Sequence, residues 1–181
     1  MRDKIFWGGA AAMALVLALS NYLVLIPLGD FLTWAAFSYP LAFLVTDCVN
    51  RAAGPGCARK VVCAGFVCGL PLSFAAVYSG GETAAVAARI AFASGTAFAV
   101  AQFLDVAVFH RLRRAAWWLP PLASSAPASA ADTFLFFFLA FGGGGLPWAT
   151  LAAGDLAVKA LMIFALLPPY RMLTFRLAAA R

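Results

Sequence analysis

Six long apolar stretches follow one another along the chain, and short segments rich in glycine, proline and charge separate them. Each stretch is close to the roughly 20 residues that an α-helix needs to cross the hydrocarbon core of a bilayer. The first is longer than the apolar part of a secretory signal, and no small-residue cleavage site follows at once, so we expect it to be retained. The pattern predicts six spans, at about 5–28, 31–51, 61–79, 84–110, 121–141 and 149–172.

The composition supports this interpretation. Of 181 residues, 65% are hydrophobic and 11% are charged, and the mean hydropathy is +0.93. A soluble domain carries about 25% charged residues, and one of this size could not bury so much apolar surface. We therefore predict an all-α integral membrane protein, with residues 1–181 forming a single domain of six transmembrane helices.

The basic residues predict the orientation. The net charge is +6, which in a soluble protein would suggest nucleic acid. With six spans, however, only Arg89 and Lys159 lie inside helices, and the opposite loops carry only Asp30 and Glu82. The positive-inside rule then places both termini in the cytoplasm, and no nucleic-acid partner is expected. The basic residues on the predicted cytoplasmic side are Arg2, Lys4, Arg51, Arg59, Lys60, Arg111, Arg113, Arg114, Arg171, Arg176 and Arg181.

Motifs for catalysis or metal binding are missing from the sequence. The cysteines Cys48, Cys57, Cys63 and Cys68 form no C-x-x-C pair and have no histidine at ligand spacing, so we expect them to be small apolar filler. The single histidine, the absence of H-E-x-x-H and G-x-S-x-G, and the absence of a nucleotide-binding loop argue against an enzyme. We predict no cofactor and no metal.

Four acids lie inside the predicted spans, where ionisable side chains are costly and usually face the bundle interior. Asp47 precedes Arg51 by four residues, which allows an ion pair on one helix face. Asp105 follows Gln102 by one turn and either pairs with a nearby arginine or lines a cavity. The spans therefore hold candidates for both structural and functional roles.

Asp132 differs because no basic residue is near it in sequence. An unpaired carboxylate at this depth binds a ligand or takes up a proton. Asp155 and Lys159 are spaced i,i+4, so they either neutralise each other or couple to another group. Arg89 can snorkel outward or pair with Asp155 across helices.

Aromatic side chains near these polar positions could form flat walls for a planar ligand, although ordinary helix packing explains each of them as well. The candidates are Trp34, Phe37 and Tyr39 on the second span and Phe98 on the fourth.

Three segments carry a family resemblance. Residues 31–62 contain an aromatic-Pro pair, then Thr-Asp, an arginine and a glycine-rich turn. Residues 88–114 contain an arginine and then Gln-x-x-Asp-x-x-x-Phe, and residues 117–141 contain Trp-Trp, small residues and Asp-Thr before aromatics. Together with a weaker Asp-x-x-x-Lys at 155–159, they resemble the queuosine precursor transporters, also called the vitamin uptake transporter family.

The resemblance implies a six-helix transporter in the bacterial inner membrane for 7-deazaguanines such as preQ0, preQ1 or queuine. The family is similar in architecture to the substrate-binding components of energy-coupling-factor transporters, which work with separate ATPase and coupling subunits. Family members often have a polar amide before the Asp-Thr. This chain has only Ser124, Ser125 and Ser129 there.

Such a ligand fits the polar residues. One carboxylate can accept the N–H and NH₂ of a guanine-like edge, and we expect Asp132 to do so. An amide such as Gln102 or Asn21 could donate to the ring carbonyl oxygen, with Asp105 and Ser129 lining the cavity. A homodimer is conceivable, because the spans carry small residues such as Gly65, Gly69 and Gly95.

Two alternatives remain open at this stage. One is the substrate-binding component of an energy-coupling-factor transporter, which would need an ATPase module as partner. The other is a membrane structural or assembly protein whose buried acids only form ion pairs. An ion-paired Asp132 without a cavity would favour the latter.

Overall fold

The structure, a computed structural model, describes residues 2–29, 32–143, 145 and 147–179. Helices account for nearly all of this part of the chain, and one short hairpin interrupts them. The hairpin pairs β1 (Pro27–Leu28) with β2 (Leu32–Thr33) in antiparallel register. The helices are α1 (Arg2–Leu23), α2 (Ala35–Ser38), α3 (Leu41–Ala53), α4 (Pro55–Ser79), α5 (Ala84–Leu112), α6 (Leu119–Phe141), α7 (Trp148–Ala165) and α8 (Leu167–Ala179).

Five of these helices, α1, α4, α5, α6 and α7, are long and apolar enough to cross a membrane. The prediction of an all-α membrane protein is confirmed. The predicted count of six continuous helices is not, because the second span is broken.

The break in the second span lies at Pro40, where α2 ends and α3 begins. Proline has no N–H to donate and its ring crowds the preceding turn, so a helix is easily interrupted there. At about 1.5 Å per residue, the stretch from Ala35 to Ala53 still reaches about 28 Å, close to the roughly 30 Å hydrocarbon core. By length alone, α2 and α3 together are therefore sufficient for a crossing.

The first span ends at Leu23 rather than at residue 28, because the chain turns back into the hairpin. Gly29 lies in this turn with φ +69°, a backbone conformation that favours glycine. Asp30 and the predicted start of the second span at residue 31 lie outside the described residues.

Two further boundaries differ from the prediction, and proline explains both. The third span begins at Pro55 rather than at residue 61, since proline suits the first turn of a helix. Only Gly54 then separates α3 from α4. The sixth span stops at Ala165, and Pro168 and Pro169 lie in the first turn of a separate helix, α8.

The centre of the bundle is α3, which packs against α1, α4, α5, α6 and α8. Its apolar side joins the main core, built around Met13, Val61, Val62 and Phe98. The glycines that suggested a homodimer lie inside this single chain. A Cβ on Gly65 would approach Met13 to 2.7 Å, and one on Gly95 would approach Leu70 to 2.7 Å. These small residues allow helices of one chain to approach, so they give no support for a dimer.

Basic side chains from distant segments meet at one end of the bundle. Arg51 Nη1 donates to the carbonyl oxygen of Arg113, and Arg113 Nη2 donates to that of Arg51 at 2.9 Å. Arg2 donates to the carbonyl of Ala53, and Arg171 lies over the ring of Trp117. These contacts bring four of the eleven predicted residues to one end, namely Arg2, Arg51, Arg113 and Arg171, and Arg181 lies outside the described residues.

Candidate functional site in the bundle interior

A stripe of buried polar side chains runs along α6. Ser125, Ser129 and Thr133 are spaced at i,i+4, so they lie on one face, and Ser124 and Asp132 lie beside them. All five residues are buried. The stripe joins two groups of polar residues, which we call the lysine cluster and the amide–carboxyl cluster. The lysine cluster comprises Asp132, Thr133, Asp155 and Lys159. The amide–carboxyl cluster comprises Thr46, Asp47, Asn50, Gln102, Asp105, Ser124, Ser125 and Ser129.

Lys159 is the centre of the lysine cluster. Its ammonium nitrogen lies 2.7 Å from Asp132 Oδ2 and 2.6 Å from Asp155 Oδ2. It also donates to Thr133 Oγ1 at 2.9 Å, and that hydroxyl donates to Asp155 at 2.7 Å. The ring of Tyr39, at the turn between α2 and α3, lies 5.8 Å from the ammonium. These contacts hold α6 and α7 together.

The predicted i,i+4 pair of Asp155 and Lys159 forms, but the expectation that Asp132 is unpaired is wrong. Lys159 comes close to Asp132 only because α6 and α7 are antiparallel neighbours. With both carboxylates ionised, the cluster carries one negative charge in excess.

Two predicted ion pairs do not form. Within the described residues, the only salt bridges are the two of Lys159. Arg51 turns away from Asp47 towards Arg113, and Arg89 donates to the carbonyl oxygens of Leu139 and Gly142 at the end of α6. A cation at a helix C-terminus binds the unpaired carbonyl groups and interacts favourably with the helix dipole. This interaction explains why Arg89 does not reach Asp155.

The amide–carboxyl cluster lies where α3, α5 and α6 meet. Thr46 donates to Gln102 Oε1 at 2.6 Å, and Ser125 makes a long contact of 3.4 Å with Asp105 Oδ1. Asp47 on α3 and Asp105 on α5 are both buried, with exposed fractions of 2% and 0%. Neither pairs with a described basic residue, so Asp105 does not form the arginine pair that was considered for it.

Seven buried polar atoms have no hydrogen-bond partner among the described residues, and six of them belong to this cluster. Leaving one such group unpaired costs ~1–3 kcal/mol, and native proteins contain few of them. They include free carboxylate oxygens and a free amide nitrogen, which together suit a ligand with both donors and an acceptor. The atoms are Asp47 Oδ1, Asn50 Oδ1, Gln102 Nε2, Asp105 Oδ2, Ser124 Oγ, Ser129 Oγ and Tyr170 Oη.

A small cavity adjoins the cluster. Its volume is about 20 Å³, and Asp47, Ser125 and Tyr170 supply its polar lining. A space of this size holds about one water molecule, whereas sites for drug-sized ligands measure roughly 300–1,000 Å³. A heterocycle can therefore enter only when the helices around the cluster move apart.

The remaining predicted site residues lie at different places. Asn21 donates to Leu17 of its own helix, at the hairpin end of α1. Trp34 and Phe37 are 47% and 37% exposed, and their rings contact each other. Phe98 lies one turn before Gln102 on α5, and its ring belongs to the apolar core. The stacking role of these aromatic residues and the donor role of Asn21 stay predictions.

Some polar residues of the interior were not predicted. Thr46 and Asn50 lie one turn apart on α3, and both bond to α5, Asn50 through the carbonyl oxygen of Val106. Thr133 joins the lysine cluster, and Tyr170 closes the cavity from α8. The i,i+4 spacing of Thr46 with Asn50, and of Ser129 with Thr133, was the available signal.

Comparison with known proteins gives consistent results. A family model described as "Putative vitamin uptake transporter" matches residues 33–173, which include both clusters. The chain is 41% identical over 115 residues to the "Queuosine precursor transporter" of Escherichia coli (strain K12), covering 56% of this chain and 52% of that protein. It is 34% identical over 125 residues to the "Probable queuosine precursor transporter" of Haemophilus influenzae (strain ATCC 51907 / DSM 11121 / KW20 / Rd), covering 55% and 53%.

The chain spans about half the length of the curated relatives it matches. No solved structure matches it.

Proposed function

Because the chain belongs to the vitamin uptake transporter family, we propose that it imports a queuosine precursor, a 7-deazaguanine, across the bacterial inner membrane. The names of two relatives at 41% and 34% identity support this substrate class. The observation that carries the proposal within the molecule is the set of unpartnered buried polar atoms where α3, α5 and α6 meet. The convergence of basic residues at one end of the bundle supports a cytoplasmic position for that end.

We place the recognition of the ligand at Gln102 and Asp105. These residues are one turn apart on the same face of α5, and each has one free polar atom. Asp105 can accept the N–H and NH₂ of the guanine-like edge as a charge-assisted pair. Gln102 Nε2 can donate to the adjacent ring carbonyl. The two donors and the acceptor of the edge then each have a partner.

The main contact with the guanine-like edge is thus proposed for Asp105 and not for Asp132, which the sequence favoured. Lys159 already binds the Oδ2 atom of Asp132, so a ligand can use both oxygens of this carboxylate without competition only when the ammonium is released. Asp132 lies about two turns of α6 away from Ser125, roughly 11 Å at 1.5 Å per residue, and Asp155 on α7 binds the same lysine. They remain candidates for a charged substituent of the ligand, with Ser129 between the two clusters.

A structural or assembly protein is the alternative that a specific observation favours, because Asp132 is ion-paired and the cavity is small. A purely structural cluster would be expected to satisfy its buried polar groups. The unpartnered atoms of Gln102, Asp105 and Ser129 therefore favour the transporter. Co-purification with an ATPase pair would instead indicate a component of an energy-coupling-factor transporter.

Ligand binding gives the first test. Thermal unfolding of the purified protein is measured with preQ0, preQ1, queuine and guanine, and with adenine as control. A ligand at 100 times its Kd stabilises the folded state by about 2.7 kcal/mol, which for a chain of this size raises the Tm by roughly 5–10 °C.

We expect a rise in Tm that grows with concentration for at least one 7-deazaguanine. Adenine lacks the N–H and carbonyl arrangement of the guanine-like edge, so it should give no shift. If none of the 7-deazaguanines changes the Tm of the folded protein, the proposed substrate class is wrong.

A further inference from the structure

An open cavity of about 300 Å³ lies between the C-terminal end of α3 and the helix α8. Arg51 lines it from α3 and Arg171 from α8, and no acidic residue of the described chain is part of its lining. Its volume lies within the range of sites for small molecules. The described lining also has no carboxylate or amide side chain that could accept the donors of a guanine-like edge, so the cavity does not suit the transported ligand.

The positive charge in this cavity is not neutralised by a neighbouring side chain. Within the part of the chain that the structure describes, neither Arg51 nor Arg171 forms a salt bridge. Arg51 Nη1 donates to the carbonyl oxygen of Arg113, and the Arg171 guanidinium lies 5.2 Å from the centre of the Trp117 ring. A guanidinium has five N–H donors, so both side chains keep donors for an anion.

The acids of the neighbouring elements are not part of this lining. Asp47 lies one turn before Arg51 on α3 and lines the smaller inner cavity instead. Asp3, in the first turn of α1, is exposed and does not line the cavity. The hydroxyl of Thr174, which does line it, donates to the carbonyl oxygen of Tyr170 at 2.8 Å. The two arginines therefore dominate the polar character of the cavity.

The carbonyl groups at the end of α3 are compensated by further arginines. A helix C-terminus carries partial negative charge, which would repel an anion. Here Arg113 Nη2 donates to the carbonyl oxygen of Arg51 at 2.9 Å, and Arg2 Nη2 donates to that of Ala53 at 3.3 Å. These contacts bring more positive charge to the same helix end, where Arg2 and Arg113 line a second open cavity of about 420 Å³.

The helix α8 combines exposed apolar side chains with arginines. Its 13 residues reach about 20 Å at 1.5 Å per residue, which is too short to cross the hydrocarbon core. Apolar side chains beside Arg171 and Arg176 suit the boundary between lipid headgroups and acyl chains. The large apolar side chains that α8 exposes are Met172, Leu173, Phe175 and Leu177.

Two tryptophans next to the cavity indicate the depth of the headgroups. Trp117 lies under the guanidinium of Arg171, and Trp118, directly before α6, is 42% exposed. Tryptophan is enriched at membrane–water interfaces. Basic pockets between helices on the cytoplasmic side of a membrane are suited to anionic lipid headgroups.

We propose that the cavity between α3 and α8 binds an anionic phospholipid of the cytoplasmic leaflet. Arg51 and Arg171 hold the headgroup phosphate, and the acyl chains lie along Phe175 and Leu177, which line the same cavity. Arg171, Phe175 and Ala178 are spaced i, i+4 and i+7 on α8, so charged and apolar contacts share one face.

A lipid bound in this cavity fastens α8 to α3. The helix α8 also carries Tyr170, which closes the small cavity of the candidate site. The inference rests on the cytoplasmic position proposed for the basic end of the bundle. It does not depend on the identity of the transported ligand, so its test uses lipid binding and not uptake.

Native mass spectrometry of the purified full chain in a non-ionic detergent gives the lipid affinity. The chain is titrated with dioleoyl phosphatidylglycerol, and with dioleoyl phosphatidylcholine as a zwitterionic control with the same acyl chains. We expect phosphatidylglycerol to bind at least about tenfold more tightly, because its phosphate has no attached cation and can bond fully to both arginines. Equal affinities would overturn the proposal.

Inorganic phosphate distinguishes a lipid site from a site for a soluble anion. Phosphate offers the same charged oxygens but makes no contact with Phe175 and Leu177, so a large molar excess should leave phosphatidylglycerol bound. Displacement of the lipid by phosphate would show that a soluble anion is the true occupant and would overturn the assignment to a lipid.

The Arg171→Gln variant tests the position of the site. It removes one of the two cations, so we expect the affinity for phosphatidylglycerol to fall by about tenfold and that for phosphatidylcholine to stay unchanged. Arg176→Gln makes the same change on the same helix outside the lining. At about 0.15 M salt, charges more than ~8 Å away are largely screened, so this control should stay within about threefold of wild type.

Equal losses in the two variants would mean that phosphatidylglycerol binds through general charge, and the site would be wrong. If Arg171→Gln does not fold, Arg171→Lys decides instead. Lysine keeps the charge but lacks the planar fork of donors, so the affinity should fall by about threefold or more. A folded Arg171→Lys protein with wild-type affinity would show that this guanidinium does not hold the phosphate.

Discussion

Replacing Asp105 with asparagine is expected to lower the affinity for a 7-deazaguanine by about 100-fold or more. The charge-assisted pair to the guanine-like edge would be lost, and hydrogen bonds to charged groups contribute ~1.5–3 kcal/mol each. The introduced amide would also direct an NH₂ group at the ligand's own donors. The loss is measured as the disappearance of ligand-dependent stabilisation and of uptake, while the Tm without ligand stays near that of wild type.

A matched control is Asp3→Asn, which removes a carboxyl from the exposed first turn of α1. It should leave binding unchanged. An Asp105→Asn protein that binds the ligand within threefold of wild type would show that recognition occurs elsewhere.

Lys159→Met should destabilise the protein more than any other single change in the lysine cluster. Lys159 is 4% exposed, and its ammonium group bonds to two carboxylates. Removing one partner of a buried ion pair costs ~3–5 kcal/mol, because the remaining charge is left uncompensated. For a chain of this size that corresponds to a fall in Tm of roughly 10 °C.

A triple variant distinguishes the effect of uncompensated charge from a loss of packing. The triple variant Asp132→Asn, Asp155→Asn, Lys159→Met removes all three charges, so it should recover a large part of the lost Tm. Lys60→Met changes an exposed lysine and should have little effect. Equal destabilisation of the single and triple variants would mean that the charge balance is not what stabilises this cluster.

The membrane-spanning character of the chain could be predicted from hydropathy because it depends on long uniform stretches. The ends of α5 and α6 lie within two residues of the expected positions. The interruptions were less predictable. Pro40 breaks the second span, whereas Pro71 and Pro127 remain inside continuous helices. Whether a proline interrupts a helix depends on which neighbours satisfy the freed carbonyls, and that is a property of the packed bundle.

In the candidate site, too, some contacts follow from the sequence and others depend on how the helices pack. Gln102 and Asp105 are neighbours by helical spacing alone, and the Asp155–Lys159 pair also follows from spacing. Asp132 and Lys159 are 27 residues apart, so their contact depends on how α6 packs against α7. The direction of Arg89 likewise depends on carbonyl groups at the end of another helix. Polar residues could be recognised from the sequence, but their partners could not.

Uptake of labelled preQ1 by proteoliposomes containing the purified chain tests the central claim most directly. The account predicts saturable uptake that unlabelled preQ1 competes away, that adenine does not, and that the folded Asp105→Asn variant lacks. Folded wild-type protein whose uptake of preQ0, preQ1 and queuine equals that of empty vesicles would contradict it.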